Sequence, residues 1–324
     1  MNLELSLLLC LVGIVLLYFA AGWLVKGSGS LARSLGVPPI VVGLTVVAFG
    51  TSAPELFVSL TSALQDSPMI AVTNVIGSNI CNIALVLGMT ALFQPIKCHP
   101  TVFKRDIPIM LGITLYLLVV SGNSTISRVE GASLVTGIIV YIYYNYRSAT
   151  RTPSGKTGAM PRDKTGAQPV GNRFSQVALI LSGIAGVVIG AEVLIDSAIK
   201  IMTVFGVNDK FIGLTIVAFG TSLPELATSV IAALKKEMDI SLGNLVGSNV
   251  FNILAVLGAA ALVNPITIPG GFMASGLFID YMVMMAVSAM PLFMIRKSYT
   301  VSRVDGAMLL STYGGYLAYL ILKS

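Results

Sequence analysis

The stretch "GLTVVAFGTSAPELFVSL", residues 43–60, begins as an apolar run and then sets Gly50, Thr51, Ser52, Pro54 and Glu55 in its middle. Proline interrupts a helix, and a carboxylate at the centre of a bilayer costs about 2.5–3.5 kcal/mol on insertion scales. The chain does this a second time, in "GLTIVAFGTSLPELATSV" at residues 213–230. A costly interruption written twice in the same letters points to a site.

The surroundings of both stretches are hydrophobic. Of 324 residues, 55% are hydrophobic and 10% charged, where soluble domains carry about 25% charged residues. Apolar runs of about 20 residues recur along the chain, the signature of a polytopic helical membrane protein. Alternating segments of a transmembrane barrel are absent. The net charge of +6 is spread over short loops, with no basic patch interleaved with aromatics, so no nucleic-acid partner is expected. The acidic start "MNLEL" argues against a cleaved signal peptide. Cys10, Cys81 and Cys98 are too scattered for a disulfide framework, and His99 is the sole histidine.

Turn and charge signals cut the chain into ten apolar segments: 4–25, 38–64, 70–93, 107–121, 129–146, 174–198, 210–233, 240–263, 273–295 and 304–322. The expected fold is all-α. Residues 147–173, rich in Gly, Pro, Ser and Thr, read as a linker. Sixteen of the twenty Lys and Arg residues follow odd-numbered segments; only Arg128, Lys200, Lys210 and Lys323 lie on the other side. The positive-inside rule then places the linker in the cytoplasm and both termini outside the cell membrane.

Residues 41–96 overlie 211–266 at a constant offset of 170, with 29 identities in 56 positions and no gap. The matches include Ala48/Ala218, Thr51/Thr221, Ser52/Ser222, Pro54/Pro224, Glu55/Glu225, Asn74/Asn244, Ser78/Ser248 and Asn82/Asn252. "ISRVEG" (126–131) matches "VSRVDG" (301–306), and Asp106 pairs with Asp280 as helix-start groups. The units are therefore a first five-helix repeat at 1–146 and a second at 174–324, forming one membrane domain. Five is odd, so the second copy crosses in the opposite sense. This is an inverted-topology repeat, recurrent in secondary transporters, with helices 2, 3, 7 and 8 expected to be broken.

Pro54 and Pro224 offer no N–H to the carbonyls of Gly50 and Gly220, which frees backbone oxygen near Ala48–Thr51 and Ala218–Thr221. In a membrane such backbone is tolerated only where protein, water or an ion satisfies it. Glu55 and Glu225 repel one another if brought together, and a bound divalent cation removes that penalty. Ser78 and Asn82 share a helical face with Asn74, and Ser248 and Asn252 with Asn244. The two asparagines Asn74 and Asn244 read equally well as ligands or as helix-to-helix hydrogen bonders. Gly77 and Gly247 precede the serines and permit close helix approach. The donors are carboxylates, hydroxyls, amides and carbonyls, a set suited to a hard cation; Ca²⁺ fits better than Mg²⁺, and Na⁺ also accepts such ligands. An intramembrane hydrolase with Ser52 or Ser222 as nucleophile lacks a histidine base, so no enzyme is expected. A channel gains nothing from inverted copies of one site.

The doubled pattern "GxTxxAxGTSxPE … GNxxGSNxxN" resembles the two alpha-repeats of the cation/calcium exchanger superfamily, most nearly the prokaryotic Na⁺/Ca²⁺ exchangers, over essentially the whole chain. The resemblance implies four ion sites at mid-membrane, with Glu55 and Glu225 as central Ca²⁺ ligands. It implies oxygen from Thr51, Ser52, Thr221, Ser222, Ser78 and Ser248, backbone oxygen from Ala48 and Ala218, and a centre completed by Asn82 and Asn252. Ca²⁺ and Na⁺ would be transported substrates, no organic cofactor is implied, and a monomer in the lipid bilayer would suffice. The first repeat departs from the pattern in reading "TN" (Thr73–Asn74) where the second reads "GN". Some relatives, K⁺-coupled ones included, carry Asp at the position of Asn252; the amides here argue against K⁺ coupling. The H⁺-coupled branch fits less well. The expected activity is antiport of Ca²⁺ against Na⁺ by alternating access, with helices 1 and 6 outside the site.

Overall fold

The structure, a computed structural model, describes residues 3–67, 69–151, 171–206, 218–273, 275–295 and 299–323. The start of the seventh segment (210–217), most of the linker (152–170), and the loop cations Lys210, Arg296 and Lys297 lie outside the described residues. Every one of the ten apolar segments contains helix. In chain order the helices are α1 (Leu3–Leu35), α2 (Pro39–Thr51), α3 (Ala53–Leu64), α4 (Met69–Phe93), α5 (Ile107–Ser121) and α6 (Arg128–Arg151). They continue with α7 (Arg173–Val204), α8 (Ala218–Gly220), α9 (Leu223–Leu234), α10 (Met238–Val263), α11 (Leu277–Ile295) and α12 (Arg303–Lys323). Among the described residues, α1, α4, α7, α10 and α11 are each long and apolar enough to cross a membrane, and α2 with α3 forms one further span bent by 46°.

The interruptions take two forms. Segment 2 breaks at Ser52, one residue before α3, and segment 7 at Thr221–Ser222, before α9. Pro54 and Pro224 therefore sit in the first turn of a new helix, where a missing N–H leaves nothing unpaired. The proline starts the second half-helix; it does not kink one continuous helix. Segments 3 and 8 keep running. Their interruption is a change of pitch to wide, five-residue turns at Cys81–Leu87 and Asn252–Leu257, a device found mostly at functional positions.

α1 extends ten residues beyond the segment end expected at 25. The charges that suggested a stop are accommodated on the helix: Lys26 is exposed, and Arg33 Nη1 meets Glu237 Oε1 at 3.3 Å. Lys235 Nζ also donates to the Gly22 carbonyl at 3.1 Å. α1 runs antiparallel to α7 along a stripe of small residues. A Cβ added to Gly183 would lie 2.6 Å from Leu24 N, one on Gly13 2.9 Å from Leu194 N, and one on Gly186 2.7 Å from Ala20 Cβ. Glu192 and Asp196, in the second half of α7, are exposed.

The two repeats interlock at both ends. Strand β1 (Ile96–Lys97) pairs antiparallel with β4 (Thr300–Val301), and β2 (Thr125–Ile126) with β3 (Ile266–Thr267). Each pair joins one repeat to the other. Helix contacts cross in the same way: Gly88 packs on Gly306 between α4 and α12, and Gly131 on Gly258 between α6 and α10. Asp280 sits in the first turn of α11 as expected and accepts Tyr316 Oη at 3.1 Å. Asp106 instead ends a wide helical turn, Val102–Asp106, that runs straight on into α5, so it starts no helix; it is 1% exposed and takes Arg105 Nε at 2.7 Å. The three thiols are unpaired, and burial pushes the loop residue Cys98 up to about 12, the behaviour of an inert thiol.

Candidate cation site

Ser52 (φ −82°, ψ 8°) and Ser222 (φ −87°, ψ 3°) adopt nearly the same backbone at the two breaks. Each break aims the next half-helix so that its first-turn acid, Glu55 on α3 or Glu225 on α9, points into the interior. Both glutamates are 0% exposed. The first turn of a helix is the favourable end for an anion.

The acids from opposite repeats lie within electrostatic reach of one another. Their neighbours obey the repeat. Ser78 from the same half and Thr221 from the other stand beside Glu55; Ser248 from the same half and Thr51 and Ser52 from the other stand beside Glu225. Ser52 Oγ donates to Glu225 Oε1 at 3.2 Å. Thr51 Oγ1 donates to Asn244 Oδ1 at 3.0 Å and lies 3.4 Å from Ser248 Oγ.

Among the described residues, several buried oxygens of the repeated segments have no hydrogen-bond partner: both carboxylate oxygens of Glu55, Oε2 of Glu225, Oγ of Ser222, and Oδ1 of Asn82 and Asn252. Burying such groups unpaired costs about 1–3 kcal/mol each, more when charged. They come from both repeats and are all oxygen. Among the described residues no group of three or more His, Cys, Asp or Glu is assembled as a metal cluster. Two acids with neutral oxygens suit a hard cation better than zinc or copper.

Of the twelve residues expected from the sequence, Glu55, Glu225, Thr51, Thr221, Ser52, Ser78 and Ser248 stand beside one another by side chain, and Ser222, Asn82 and Asn252 carry buried oxygens without partners. The two alanines enter by backbone alone. The Ala48 carbonyl already accepts Ser52 N–H at 3.0 Å and has Thr51 Oγ1 at 3.4 Å. It is less free than the proline argument suggested, because Pro54 begins a helix of its own. Ala218 is the first described residue of α8.

Asn74 and Asn244 act as helix-to-helix hydrogen bonders. Asn74 Nδ2 donates to Ser59 Oγ at 3.0 Å and to the Glu55 carbonyl at 3.3 Å; Asn244 Nδ2 donates to Ser229 Oγ at 3.0 Å. Ser59 and Ser229 escaped the sequence reading, although they are identical at the offset of 170. Gly247 permits close approach as expected, with an added Cβ only 2.7 Å from the Leu44 carbonyl. Gly77 has nothing within 4 Å among the described residues; the repeat mate of Leu44 is Leu214, which lies outside them.

Comparison with known proteins agrees with this geometry. The chain is 39% identical to the putative antiporter CaxA of Alkalimonas amylolytica, over 97% of this chain and 98% of that one. It is 34% identical to the inner membrane protein YrbG of Escherichia coli (strain K12), over 97% and 95% of the two chains. A solved structure of the sodium-calcium exchanger NCX_Mj, soaked with Na⁺ and Ca²⁺, superposes with a TM-score of 0.80 at 31% identity, covering 97% of this chain and 98% of that one. The family model described as "Sodium/calcium exchanger protein" matches residues 5–147 and 175–322. On a shared fold, a doubled motif and a match over nearly its whole length, this chain is a membrane protein that belongs to the sodium/calcium exchanger family.

Proposed function

We propose that this protein is an antiporter that exchanges Ca²⁺ for Na⁺ through one cavity between its two repeats. The observation that carries this reading is a pair of fully buried acids from opposite repeats, Glu55 and Glu225, set beside hydroxyls of both repeats with carboxylate oxygens left unpartnered. In this assignment Glu55, Glu225, Asn82 and Asn252 hold the cation with hydroxyls of Thr51, Thr221, Ser52, Ser222, Ser78 and Ser248. Carbonyls of Ala48 and Ala218 serve the flanking Na⁺ positions. Residues 1–146 and 174–324 are the two inverted halves of one membrane domain. The 147–173 linker lies in the cytoplasm and both termini lie outside.

The proposed exchange ratio is three Na⁺ for each Ca²⁺. Two carboxylates supply −2; one Ca²⁺ neutralises them, and three Na⁺ leave +1. A 3:1 exchange therefore moves net charge. An empty cavity would carry two buried, uncompensated carboxylates across, which is costly. Only loaded forms then switch sides easily, and the two ions are coupled because they compete for the same oxygens. α1 and α7, outside the site, move across the four interrupted spans to switch access.

The test is radiolabelled Ca²⁺ uptake into proteoliposomes with imposed Na⁺, K⁺ or pH gradients and controlled voltage. Uptake driven by internal Na⁺ and accelerated by positive internal voltage is expected, because one net positive charge leaves with the Na⁺. Ca²⁺ flux indifferent to the Na⁺ gradient overturns the reading; flux that follows K⁺ or pH reassigns the coupling ion.

A further inference from the structure

Asn79 and Asn249 close the two "GSN" motifs at the same offset as the glutamates. Neither faces the cavity as a ligand, yet both are 1% exposed. Asn82 Nδ2 donates to Asn249 Oδ1 at 3.1 Å, and Asn252 Nδ2 donates to Asn79 Oδ1 at 3.1 Å. The two "GSN" asparagines are themselves held by main chain of the opposite repeat. Asn79 Nδ2 donates to the Asn249 carbonyl at 3.2 Å, and Asn249 Nδ2 to the Asn79 carbonyl at 3.5 Å.

A primary amide has a donor end and an acceptor end that can exchange places by rotation. A backbone carbonyl can only accept. The carbonyls of Asn79 and Asn249 therefore fix which end of the opposite "GSN" amide is nitrogen. That turns its oxygen toward Asn82 or Asn252, and so fixes the nitrogen of that residue too. The remaining oxygen, Oδ1 of Asn82 or Asn252, is left unpartnered and buried. Without the relay either amide could present its NH₂ end, which repels a cation.

From this geometry we infer that Asn79 and Asn249 are positioning residues that hold the amide oxygens of the opposite repeat toward the transported cation. Asn249 serves Asn82 and Asn79 serves Asn252. The inference rests on the proposed assignment of Asn82 and Asn252 as ligands.

The experiment measures the half-saturating Ca²⁺ concentration for Na⁺-driven uptake, with Ca²⁺ binding to the purified protein as a second readout. Asn82→Ala tests the ligand assignment, and an unchanged Ca²⁺ affinity overturns it and this inference together. Asn249→Ala is expected to weaken Ca²⁺ by about 10-fold or more, the usual size for loss of a group that orients a metal ligand. In an Asn82→Asp background both ends of the ligand are oxygen and no orientation is needed. There Asn249→Ala should leave Ca²⁺ affinity as in Asn82→Asp alone, while Asn79→Ala keeps its full effect. The crossed pattern reverses in an Asn252→Asp background. A merely structural role would predict the same loss in every background, and that result overturns the inference, as does a normal affinity in Asn249→Ala when Asn82→Ala is impaired. Asn249→Leu, close in volume but without an acceptor, replaces the alanine form if that does not fold.

Discussion

The interrupted spans and the two long helices are built on opposite packing rules. Around the site the two repeats meet through directional contacts. Ser52 reaches Glu225, Thr51 reaches Asn244, and four asparagines bond across the repeat boundary. Close backbone approach locks these helices further: a Cβ on Gly243 would lie 2.7 Å from the Ile40 carbonyl and 2.9 Å from Leu44 N. α7 touches the same core through isolated apolar side chains, and α1 adds to such contacts the Arg33–Glu237 pair and the Lys235–Gly22 hydrogen bond. A Cβ on Gly50 would strike Ile184 of α7, and one on Gly220 would strike Ile195 of the same helix. Directional polar contacts have one good register, whereas smooth apolar surfaces over glycine have several. Under the proposed function the contrast assigns rigidity to the first region, which would hold cation geometry, and mobility to the second, which would change access.

The comparison breaks most visibly at the acids. Glu55→Gln or Glu225→Gln should drop Na⁺-driven Ca²⁺ uptake to the level of protein-free vesicles while the protein still purifies as a folded species. Normal exchange in either variant removes the rigid region's claim to the chemistry. Next in size is Gly243→Ala, which forces a methyl into main chain between α2 and α10. It should destabilise the protein by about 1–3 kcal/mol, the range for overpacking, and lower its melting temperature in detergent. Gly112→Ala, inside α5 and with nothing within 4 Å among the described residues, should instead raise the melting temperature slightly through helix propensity. If both variants behave alike, the core is not tightly registered.

Smaller effects probe the long helices. Ile184 packs over Gly50 in a structure whose carboxylates are fully shielded. Shortening it in Ile184→Ala weakens this closed arrangement and should speed turnover by about two- to fivefold, the sign expected if opening limits the rate, with little change in Ca²⁺ affinity. A large loss of affinity instead would place α7 in the site. The smallest change expected is Arg33→Gln. Its ion pair with Glu237 is partly exposed, at 29% and 27% of the two side chains, so the loss of stability should be about 0.2–1 kcal/mol, read as a slight fall in melting temperature.

Some of this was legible one residue at a time. Pro54, Glu55 and their mates at 224 and 225 stand out because lipid penalises them so strongly that only a shared purpose explains both copies. Local pitch was less legible. The break fell at Ser52 because a proline is comfortable in a helix's first turn, a preference that hydropathy does not register. The extension of α1 to Leu35 was hidden by Lys26 and Arg33, whose charges end an apolar run without ending a helix. The two-residue strands at Ile96 and Thr125 carry no periodic signal, being set by partners in the opposite repeat.

Taken alone, the amino-acid sequence determined the membrane-helical class and the internal duplication, and it named the residues proposed as oxygen donors, because each is written in composition or in a constant offset. Tertiary structure decided which atoms of those donors face inward. The Asn82 amide is oriented by a residue 167 positions away, through a carbonyl whose polarity no side-chain rotation can reverse. Register along a chain is one-dimensional information; the direction of an amide is settled only when the two halves are packed against each other.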